Sequence, residues 1–422
     1  VVLYTAGYRL DLTHGRIVHT AVLNIKSEPR GASVFIDGAQ QRERTAAIIE
    51  NVLPGERLIS LQKNGFLPWN SPLSFESRQA RVIGPIVLFL DAPPALKVSI
   101  PTVLALAHEA SNQFAYVTQE SSWLEVWRIQ AGMAGAALLI RLPYDERADY
   151  ALDWSASGTY LALVERHSAS ERLFVVRATD GTTVELPTSA KQAREHWWDV
   201  GSDEILYVRT DTGGLLRINV VQDTQELLAF ETHRITTLAG HTLSLALTDN
   251  RAVLSYQDGD AASILTYLPL SEYEFVQAPG GLIALTDTRR HRLILIDPSN
   301  RDQPILLNEE ARLWSWHPSG DVLLYSSGWD LKRYVRSAHE TQTLTRLSTT
   351  IDALGWHPLG TTALYQSDGR TLAIHLEGSQ ILSETLLAQD LTAPFWIDGD
   401  GKQLSFLRQT ETDMEWWIKA LR

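Results

Sequence analysis

Short apolar runs recur along the chain after residue 100 with a spacing close to forty residues. Trp316, Trp356 and Trp396 stand forty residues apart, and each closes an apolar stretch that a short turn and a second apolar stretch follow. Short apolar runs bounded by turns are typical of strands, and a forty-residue period with four runs per unit is typical of a β-propeller. The pattern therefore predicts an all-β chain with a ring of four-stranded sheets.

The same spacing continues through units whose tryptophan has been replaced. A second apolar or aromatic position follows nine or ten residues after the tryptophan, as at Tyr325, Tyr365 and Phe406. Eight equivalent positions predict eight blades, and seven blades is the alternative if one unit without tryptophan is an insertion. These positions, called anchors below, are residues 107, 154, 198, 238, 276, 316, 356 and 396.

Trp316 and Trp356 are each followed by His-Pro-x-Gly. Proline favours the second position of a type I turn and glycine the fourth, so the motif predicts a tight connection between the first two strands of a blade. The tryptophans are predicted to fill the wedge between neighbouring sheets, with stacking on a sugar or base as the alternative. On this interpretation His317 and His357 recur because the turn recurs.

The last unit is one strand short of four. Three strand-like runs follow residue 394, and the chain then ends at Arg422. Residues 96–100 alternate apolar and polar side chains just before the first unit, so we expect them to pair with the last sheet and cover its open edge.

Residues 1–92 lack the forty-residue repeat and predict a separate small sandwich. Turn signals such as Asp37-Gly38, Pro54-Gly55 and Asn64-Gly65 divide this segment into short strands. The residues at 91–94 (DAPP) predict a short stiff linker. The predicted strands cover 22–25, 32–36, 48–52, 58–61, 73–75 and 86–90.

Three stretches of this segment resemble the PEGA domain family. They are residues 27–38 (SEPRGASVFIDG), 53–57 (LPGER) and 63–69 (KNGFLPW). The sequence departs from the family at Arg30, where glutamate is usual, and at 41–44. The resemblance implies a β-sandwich of cell-envelope proteins without a known catalytic residue. The repeats that follow resemble TolB-like or degenerate WD-repeat propellers more loosely. The predicted segments are 1–21 (hairpin or membrane-proximal), 22–92 (PEGA-like sandwich) and 93–422 (propeller).

Charge is distributed unevenly along the chain. Residues 1–95 hold ten Lys and Arg against eight Asp and Glu, whereas residues 96–422 hold 27 against 42, a net charge of −15. An acidic ring disfavours nucleic acid and anionic membrane surfaces as partners, because both need clustered cations. The chain has no cysteine, so thiolate metal sites and cysteine nucleophiles are excluded.

No run of 18 apolar residues occurs, so no transmembrane helix is predicted within the sequence. The chain begins at Val1, and residues 1–8 (VVLYTAGY) are interpreted as the exit of an apolar segment that anchors the protein from upstream. The alternative is an ordinary strand, since 8–12 and 17–21 flank a turn at 13–16 like a hairpin.

Motifs for chemistry are largely missing. No Gly-x-Ser-x-Gly, His-Glu-x-x-His or glycine-rich phosphate loop occurs, and we predict no catalytic residue, metal site or cofactor. Asp398 and Asp400 resemble the start of a calcium loop, but Gln409 stands where the closing glutamate belongs. Asp153 and Asp199, next to tryptophans in successive units, could form a carboxylate pair at the ring mouth.

These patterns favour a non-catalytic binding and scaffolding protein of the cell envelope, located outside the cytoplasm. Its rigid propeller would present loops to an envelope protein or a surface polymer. The alternative is a carbohydrate-active enzyme that uses carboxylates such as Asp153 and Asp199 at the ring mouth. A third possibility is the sensor part of a larger assembly.

Overall fold

A computed structural model describes residues 8–11, 16–131, 135–168, 170–228, 232–258 and 261–422. Over these residues the regular secondary structure is almost entirely β-strand. Its helical turns there are two short 3₁₀ segments, Glu109–Ser111 and Thr188–Ala190. Within the described part, no helix has the length and apolar character needed to cross a membrane. The expectation for residues 1–7 lies outside the described residues.

The strands of the first quarter of the chain are β1 (Tyr8–Asp11), β2 (Arg16–His19), β3 (Ala21–Glu28), β4 (Ser33–Ile36), β5 (Ala39–Arg44), β6 (Ala47–Val52), β7 (Gly55–Gln62), β8 (Trp69–Phe75) and β9 (Ala80–Val87). The middle part contains β10 (Ala95–Pro101), β11 (Leu104–His108), β12 (Gln113–Glu120), β13 (Trp123–Gln130), β14 (Ala137–Pro143), β15 (Asp149–Trp154), β16 (Tyr160–Arg166), β17 (Glu171–Arg177), β18 (Thr183–Val184), β19 (Gln192–Trp198), β20 (Ile205–Thr210), β21 (Leu215–Asn219), β22 (Thr224–Leu228), β23 (Thr232–Leu238), β24 (His241–Leu247), β25 (Arg251–Asp258), β26 (Ala261–Pro269), β27 (Tyr273–Val276), β28 (Ile283–Asp287), β29 (Arg292–Ile296) and β30 (Ile305–Glu310). The remaining strands are β31 (Leu313–Trp316), β32 (Val322–Ser326), β33 (Asp330–Val335), β34 (Glu340–Arg346), β35 (Ile351–Trp356), β36 (Thr362–Ser367), β37 (Arg370–Glu377), β38 (Gln380–Ala388), β39 (Phe395–Ile397), β40 (Gln403–Gln409) and β41 (Asp413–Ala420).

From β11 onward, consecutive strands pair antiparallel in four-stranded groups. β11–β14, β23–β26, β27–β30, β31–β34 and β35–β38 are separate sheets, whereas β15–β17 and β19–β22 join through a short pairing of β17 with β19, and β18 pairs only with β17. Every anchor position lies in the first strand of such a group. The repeat read from the tryptophans therefore coincides with the repeat of the sheets.

The last group has the order β10-β41-β40-β39. The strand expected at 96–100 is thus the edge strand of this sheet. The Thr102 N–H donates to the Thr412 carbonyl at 3.2 Å, next to this pairing. The last unit therefore obtains its fourth strand from the segment that precedes the first unit.

The residues divide into two compact units. The N/C unit contains the described residues up to Lys97, together with Leu313–Phe406 and Trp417–Arg422. The central unit contains Val98–Arg312 and Leu407–Trp416. The predicted division into 1–21, 22–92 and 93–422 stays a prediction.

The N-terminal sheets, β3 to β9, form two layers. One has the order β6-β3-β9, with β3 and β9 parallel, and the other has the order β5-β4-β7-β8. Alternate side chains of β3 and β8 face a shared core, since Leu23, Ile25 and Leu73 are buried in one cluster. The β1–β2 hairpin pairs Tyr8 with His19. Strand β5 was not expected from the sequence, because its residues are nearly all polar and exposed.

Large side chains at equivalent positions of the second strands of the repeat are buried. Tyr207, Tyr325 and Phe406, at the second apolar position of their units, are fully buried. Trp154, Trp198 and Trp396 are also buried, while Trp316 and Trp356 are half-buried.

The indole N–H of two anchor tryptophans, Trp154 and Trp356, reaches the neighbouring sheet. Trp154 Nε1 donates to the Leu106 carbonyl at 3.2 Å, and Trp356 Nε1 donates to the Ser315 carbonyl at 3.2 Å. Each acceptor lies one residue before the anchor of the preceding unit. These tryptophans therefore fill space between sheets and also fix their relative register through a directional bond.

The histidine of the turn forms a second bond between successive sheets. His317 Nε2–H donates to the Gly360 carbonyl at 2.9 Å, and His357 Nε2–H donates to the Gly401 carbonyl at 3.1 Å. On the other side of each ring, Nδ1 accepts the backbone N–H two residues further along, at 3.0 and 3.2 Å. A neutral imidazole protonated on Nε2 satisfies both partners. We call this arrangement the turn latch.

Glycine at the end of the turn is required by this latch as well as by the turn. Gly360 has a φ of +75°, and a Cβ at this position would lie 2.3 Å from His317 Nε2. Gly401 has a φ of +64°, and its Cβ would lie 2.5 Å from His357 Nε2. Both the left-handed backbone and the approach of the preceding histidine exclude a side chain here.

We expect Gly360→Ala to destabilise the protein more than Gly378→Ala, which is the matched control. Gly378 also has a positive φ, of +61°, but nothing lies within 4 Å of its Cβ position. The control should lose about 1–2 kcal/mol of unfolding free energy from backbone strain, and Gly360→Ala should lose roughly 1–3 kcal/mol more from overpacking. Urea unfolding would measure both losses. Equal losses, or an excess that persists in a His317→Ala background, would contradict the latch.

Candidate binding pocket

The central unit contains a cavity of about 480 Å³ where the first strands of successive sheets end. The strands β11, β15, β19, β23 and β27, or the turns that follow them, all contribute to its wall. This volume is in the range of small-molecule and side-chain pockets. The lining residues are His108, Asp153, Trp154, Ser155, Ala156, His196, Trp197, Trp198, Asp199, Val200, Arg234, Glu274, Phe275 and Gln277.

His196 is the buried cation of this pocket. Its Nδ1 donates to Glu171 at 2.8 Å, and its Nε2 lies 3.3 Å from Asp153 Oδ2. Burial alone would lower the pKa of His196, but hydrogen bonds and charge from Asp153 and Glu171 outweigh burial and raise it to about 9. The ring is therefore an imidazolium at neutral pH. Arg166 also pairs with Glu171, at 3.0 Å.

Asp199 is fully buried and has its hydrogen-bonding capacity filled. It accepts from the Gly201 N–H at 2.7 Å and from the Tyr207 hydroxyl at 3.0 Å. It also accepts from both the N–H and the hydroxyl of Thr237, each at 2.9 Å. A carboxylate offers about four acceptor sites, and these donors occupy them. Asp199 thus joins β19, β20 and β23 and has a structural role.

Asp153 and Asp199 both line the pocket, as the sequence suggested, but they are in different situations. Asp153 is 41% exposed and contacts the imidazolium, whereas Asp199 is fully buried and all of its acceptor sites are occupied by hydrogen-bond donors. Only Asp153 can meet a ligand. The pair therefore does not offer two available carboxylates.

Arg234 is held beside the pocket by charge and by an aromatic face. Its Nη1 lies 2.8 Å from Glu195 Oε2, and its guanidinium carbon lies 4.5 Å from the centre of the Trp197 ring. Arg209 binds the same carboxylate at 2.7 Å. Burial opposes ionisation of Glu195, but hydrogen bonds and charge from the two arginines lower its pKa overall. The arginine and the carboxylate therefore stay charged together.

The pocket presents acceptors to a ligand. Its two cations, His196 and Arg234, are already bound to carboxylates. The partly exposed carboxylate of Asp153 and the exposed side chain of Glu274 remain accessible, beside the half-buried ring of Phe275. A ligand that donates hydrogen bonds and carries positive charge fits this surface best.

Sequence reasoning found Asp153 but missed His196, Arg234 and Glu274. They lie two to four residues before anchors 198, 238 and 276, on the first strands of their sheets. The sequence signal that could have found them is a charged or titratable residue two to four positions before the anchor in successive units. The partner of His196 could not be found this way, because Glu171 comes from the third strand of the preceding unit.

Other residues with candidate chemistry have local roles. Asp398 accepts the backbone N–H groups of Lys402 and Gln403 at 2.6 and 3.0 Å, which is a turn cap. Asp400 pairs with Lys402 at 2.9 Å. His317 and His357 are occupied by the turn latch.

One group of possible metal ligands occurs among the described residues. Asp145, Glu165 and His167 place ligand atoms within 4.8 Å of one another. Buried Glu165 already accepts from His167 at 2.8 Å and from Arg172 at 3.1 Å. Arg172 therefore supplies the positive charge that a metal ion would bring to this carboxylate.

Comparison with known proteins supports the fold. No family model matches the chain, and no curated protein matches it. The C-terminal WD40 domain of Sif2 is similar, with a TM-score of 0.51 and 12% identity over 78% of this chain and 99% of that domain. The structure of a eukaryotic initiation factor has a TM-score of 0.52 and 13% identity over 79% of this chain and 91% of its own.

The chain has a β-propeller fold. At this level of identity the similarity concerns the fold alone and assigns no ligand or activity.

We expect His196→Gln to lose stability in a pH-dependent way. The folded pKa of about 9 lies above the unfolded value, so the contribution of His196 is complete below pH 6.5 and is lost as the pH rises through 9. The difference in unfolding free energy between wild type and variant should fall by up to about 3 kcal/mol across this window. Urea unfolding between pH 6 and 9.5 measures it. The exposed His291→Asn variant is the control, and a pH-independent difference for His196→Gln would refute the imidazolium assignment.

Proposed function

We propose that this chain is a non-catalytic binding and scaffolding protein whose central-unit pocket receives a cationic side chain of a partner protein. The observation that carries the proposal is the pairing within the pocket: both cations are bound to carboxylates, Asp199 is saturated, and Asp153 and Glu274 remain for a ligand. A site of this kind recognises a donor and leaves it unchanged.

The same groups are poorly suited to general acid–base catalysis. A general base needs a free lone pair and a pKa near the working pH. Both nitrogens of His196 donate to carboxylates, and its pKa of about 9 keeps it protonated. Asp199 has no acceptor site left for a proton or a water. The Asp153 and Asp199 pair on which the carbohydrate-active alternative depends therefore does not supply two available carboxylates, because only Asp153 is open to a ligand.

A lysine or arginine of the partner suits the pocket because of charge and shape. The segment 96–422 has a net charge of −15, which attracts cationic surfaces over a distance. At the pocket, Asp153 and Glu274 accept hydrogen bonds, and Phe275 offers an apolar wall for the side-chain stem. A surface polymer rich in amino groups would share this chemistry, but a protein segment also supplies the backbone groups that Gln277 can bind.

The envelope location and the wider architecture are part of this proposal. The eight anchors, each in the first strand of a four-stranded group, support eight blades. The two layers of β3–β9 are compatible with a PEGA-like sandwich, and the resemblance of residues 27–38, 53–57 and 63–69 supports it. By that resemblance we place the protein in the cell envelope, outside the cytoplasm.

Short peptides test the pocket directly. We expect an acetylated glycine-flanked peptide with one arginine to bind at least about tenfold more tightly than the same peptide with citrulline, because citrulline keeps the shape and loses the charge. Isothermal titration at 50 and 300 mM NaCl should show weaker binding at the higher salt. Asp153→Asn and Glu274→Gln should each reduce affinity, whereas the exposed Asp302→Asn should not.

Equal binding of the citrulline peptide, or full affinity in Asp153→Asn, would exclude the cationic occupant. Turnover of a glycan or peptide that disappears in Asp153→Asn and persists in Asp302→Asn would replace the scaffold with an enzyme.

Location is tested separately by fractionating the native cells and probing with an antiserum. We expect the protein in the envelope fraction, and recovery in the cytoplasmic fraction would remove the envelope part of the proposal while leaving the pocket chemistry intact.

A further inference from the structure

The N-terminal sheets are packed against the sheet β35–β38 within the N/C unit. Leu382 of β38 is buried in the core cluster of the N-terminal sheets. In the other direction, Val87 and Phe89 are buried among residues of β36, β37 and β40. Each side thus contributes apolar side chains to the core of the other, which makes this a packed interface.

Polar contacts border the same interface. Arg81 of β9 binds Glu377 of β37 at 2.5 Å, and Arg422 binds Glu28 of β3 at 3.2 Å. Lys419 donates to the backbone carbonyl of Leu90 at 3.2 Å. Lys419 of β41 also donates to the backbone carbonyl of Ala92, which lies within the segment predicted as a linker at 91–94.

Two histidines lie directly under aromatic rings of the N-terminal segment. The ring of His375 meets Trp69 edge to face, with 6.1 Å between ring centres, and the ring of His357 meets Phe89 in the same way at 6.3 Å. His375 is 5% exposed, and His357 is fully buried. Both imidazoles are therefore covered by the docked N-terminal segment.

Among the residues that the structure describes, no carboxylate pairs with His375, so a positive charge on its ring would not be compensated. Its Nδ1 lies 3.5 Å from the Thr362 hydroxyl on β36. On its own strand, Glu377 is bound to Arg81, and on β38, Glu384 accepts from the Tyr365 hydroxyl. Burial lowers the pKa of His375 to about 4.

The surroundings of His357 also favour the neutral ring. Burial lowers its pKa to about 4, the bond to the Gly401 carbonyl and the charge of Asp398 act in the opposite direction, and the charge of Arg422 lowers it further. Protonation of Nδ1 would also break the bond that this atom accepts from the Leu359 N–H.

We propose that this interface is an acid-labile clasp: protonation of His357 and His375 releases the N-terminal sheets from β35–β38 while the central unit stays folded. The geometry makes the two imidazoles inaccessible to water when docked and accessible when released. The released state therefore binds protons that the docked state excludes.

The direction of the pH dependence of docking follows from the lowered pKa values of the two histidines. Each histidine has a docked pKa of about 4 and a released value near 6.5, so docking is strongest above pH 6.5 and weakens as the pH falls toward 4. Each histidine multiplies the release equilibrium by up to about tenfold per pH unit in this window.

Hydrogen exchange of the full chain, followed by mass spectrometry, tests the clasp. Protection factors, which correct for the intrinsic pH dependence of exchange, would be compared at pH 7.5, 6 and 5. We expect peptides from β8, from 85–92 and from β38 to lose protection at least about tenfold between pH 6 and 5. Peptides from β16 in the central unit should keep theirs. Unchanged protection at the interface, or equal loss in β16, would overturn the proposal.

Variants identify the protons involved. His375→Phe keeps an aromatic ring against Trp69 without a titratable group, and His357→Gln keeps a donor for the Gly401 carbonyl. Each should reduce the pH dependence of release by up to about tenfold per pH unit. His317→Gln is the matched control, because His317 has the same turn latch but packs on Trp356. It should leave the acid response unchanged.

An acid response that survives in both His375→Phe and His357→Gln would refute the role of the histidines. Since each variant is measured separately, failure of one to fold leaves the other as a test.

Discussion

Successive sheets of this protein meet through side chains, so the bonds that cross from one sheet to the next decide whether the repeat holds together. The turn latch supplies such a bond from a single histidine, as at His357, which joins its own turn through Nδ1 and the next turn through Nε2. The tryptophan one residue earlier supplies another, from its indole N–H to the preceding sheet. A glycine opposite each histidine is the steric condition for the latch. The Trp-His-Pro-x-Gly motif is therefore a joint that faces both neighbours.

The pocket arises from the same geometry. The first strands of several sheets end close together, so residues just before the anchors meet although they are separated by some forty positions along the chain. Buried positive charge is stable there because each cation is paired with carboxylates or packed on an aromatic ring. His196 lies between two carboxylates and Arg234 lies between Glu195 and an indole face. Such pairing fixes side chains in place and leaves only a small set of acceptors for a ligand.

The N-terminal sheets depend on the repeat more closely than a linked domain would. Leu382 completes their core, and two neutral histidines of the repeat lie beneath their aromatic rings. Neutral imidazoles pack as apolar rings, and burial lowers the pKa of both histidines to about 4. The same residue type is thus a fixed joint at His317, an imidazolium at His196 and a buried neutral ring at His375, and only the surroundings differ.

The sequence by itself determined the repeat, the position of the turns and the strand at 96–100, because periodic apolar runs and Pro-Gly turns act locally. It also located most N-terminal strands, but not β5, whose polar residues carry no strand pattern. Only the tertiary structure decided the chemistry. Asp153 and Asp199 look equivalent beside their tryptophans, yet one is left open and the other is filled by donors from β20 and β23. The carboxylate that pairs with His196 comes from the preceding unit of the repeat. The aromatic rings that pack on His357 and His375 come from the N-terminal segment. Charge state depends on burial and on partners distant in sequence, and no local pattern encodes either.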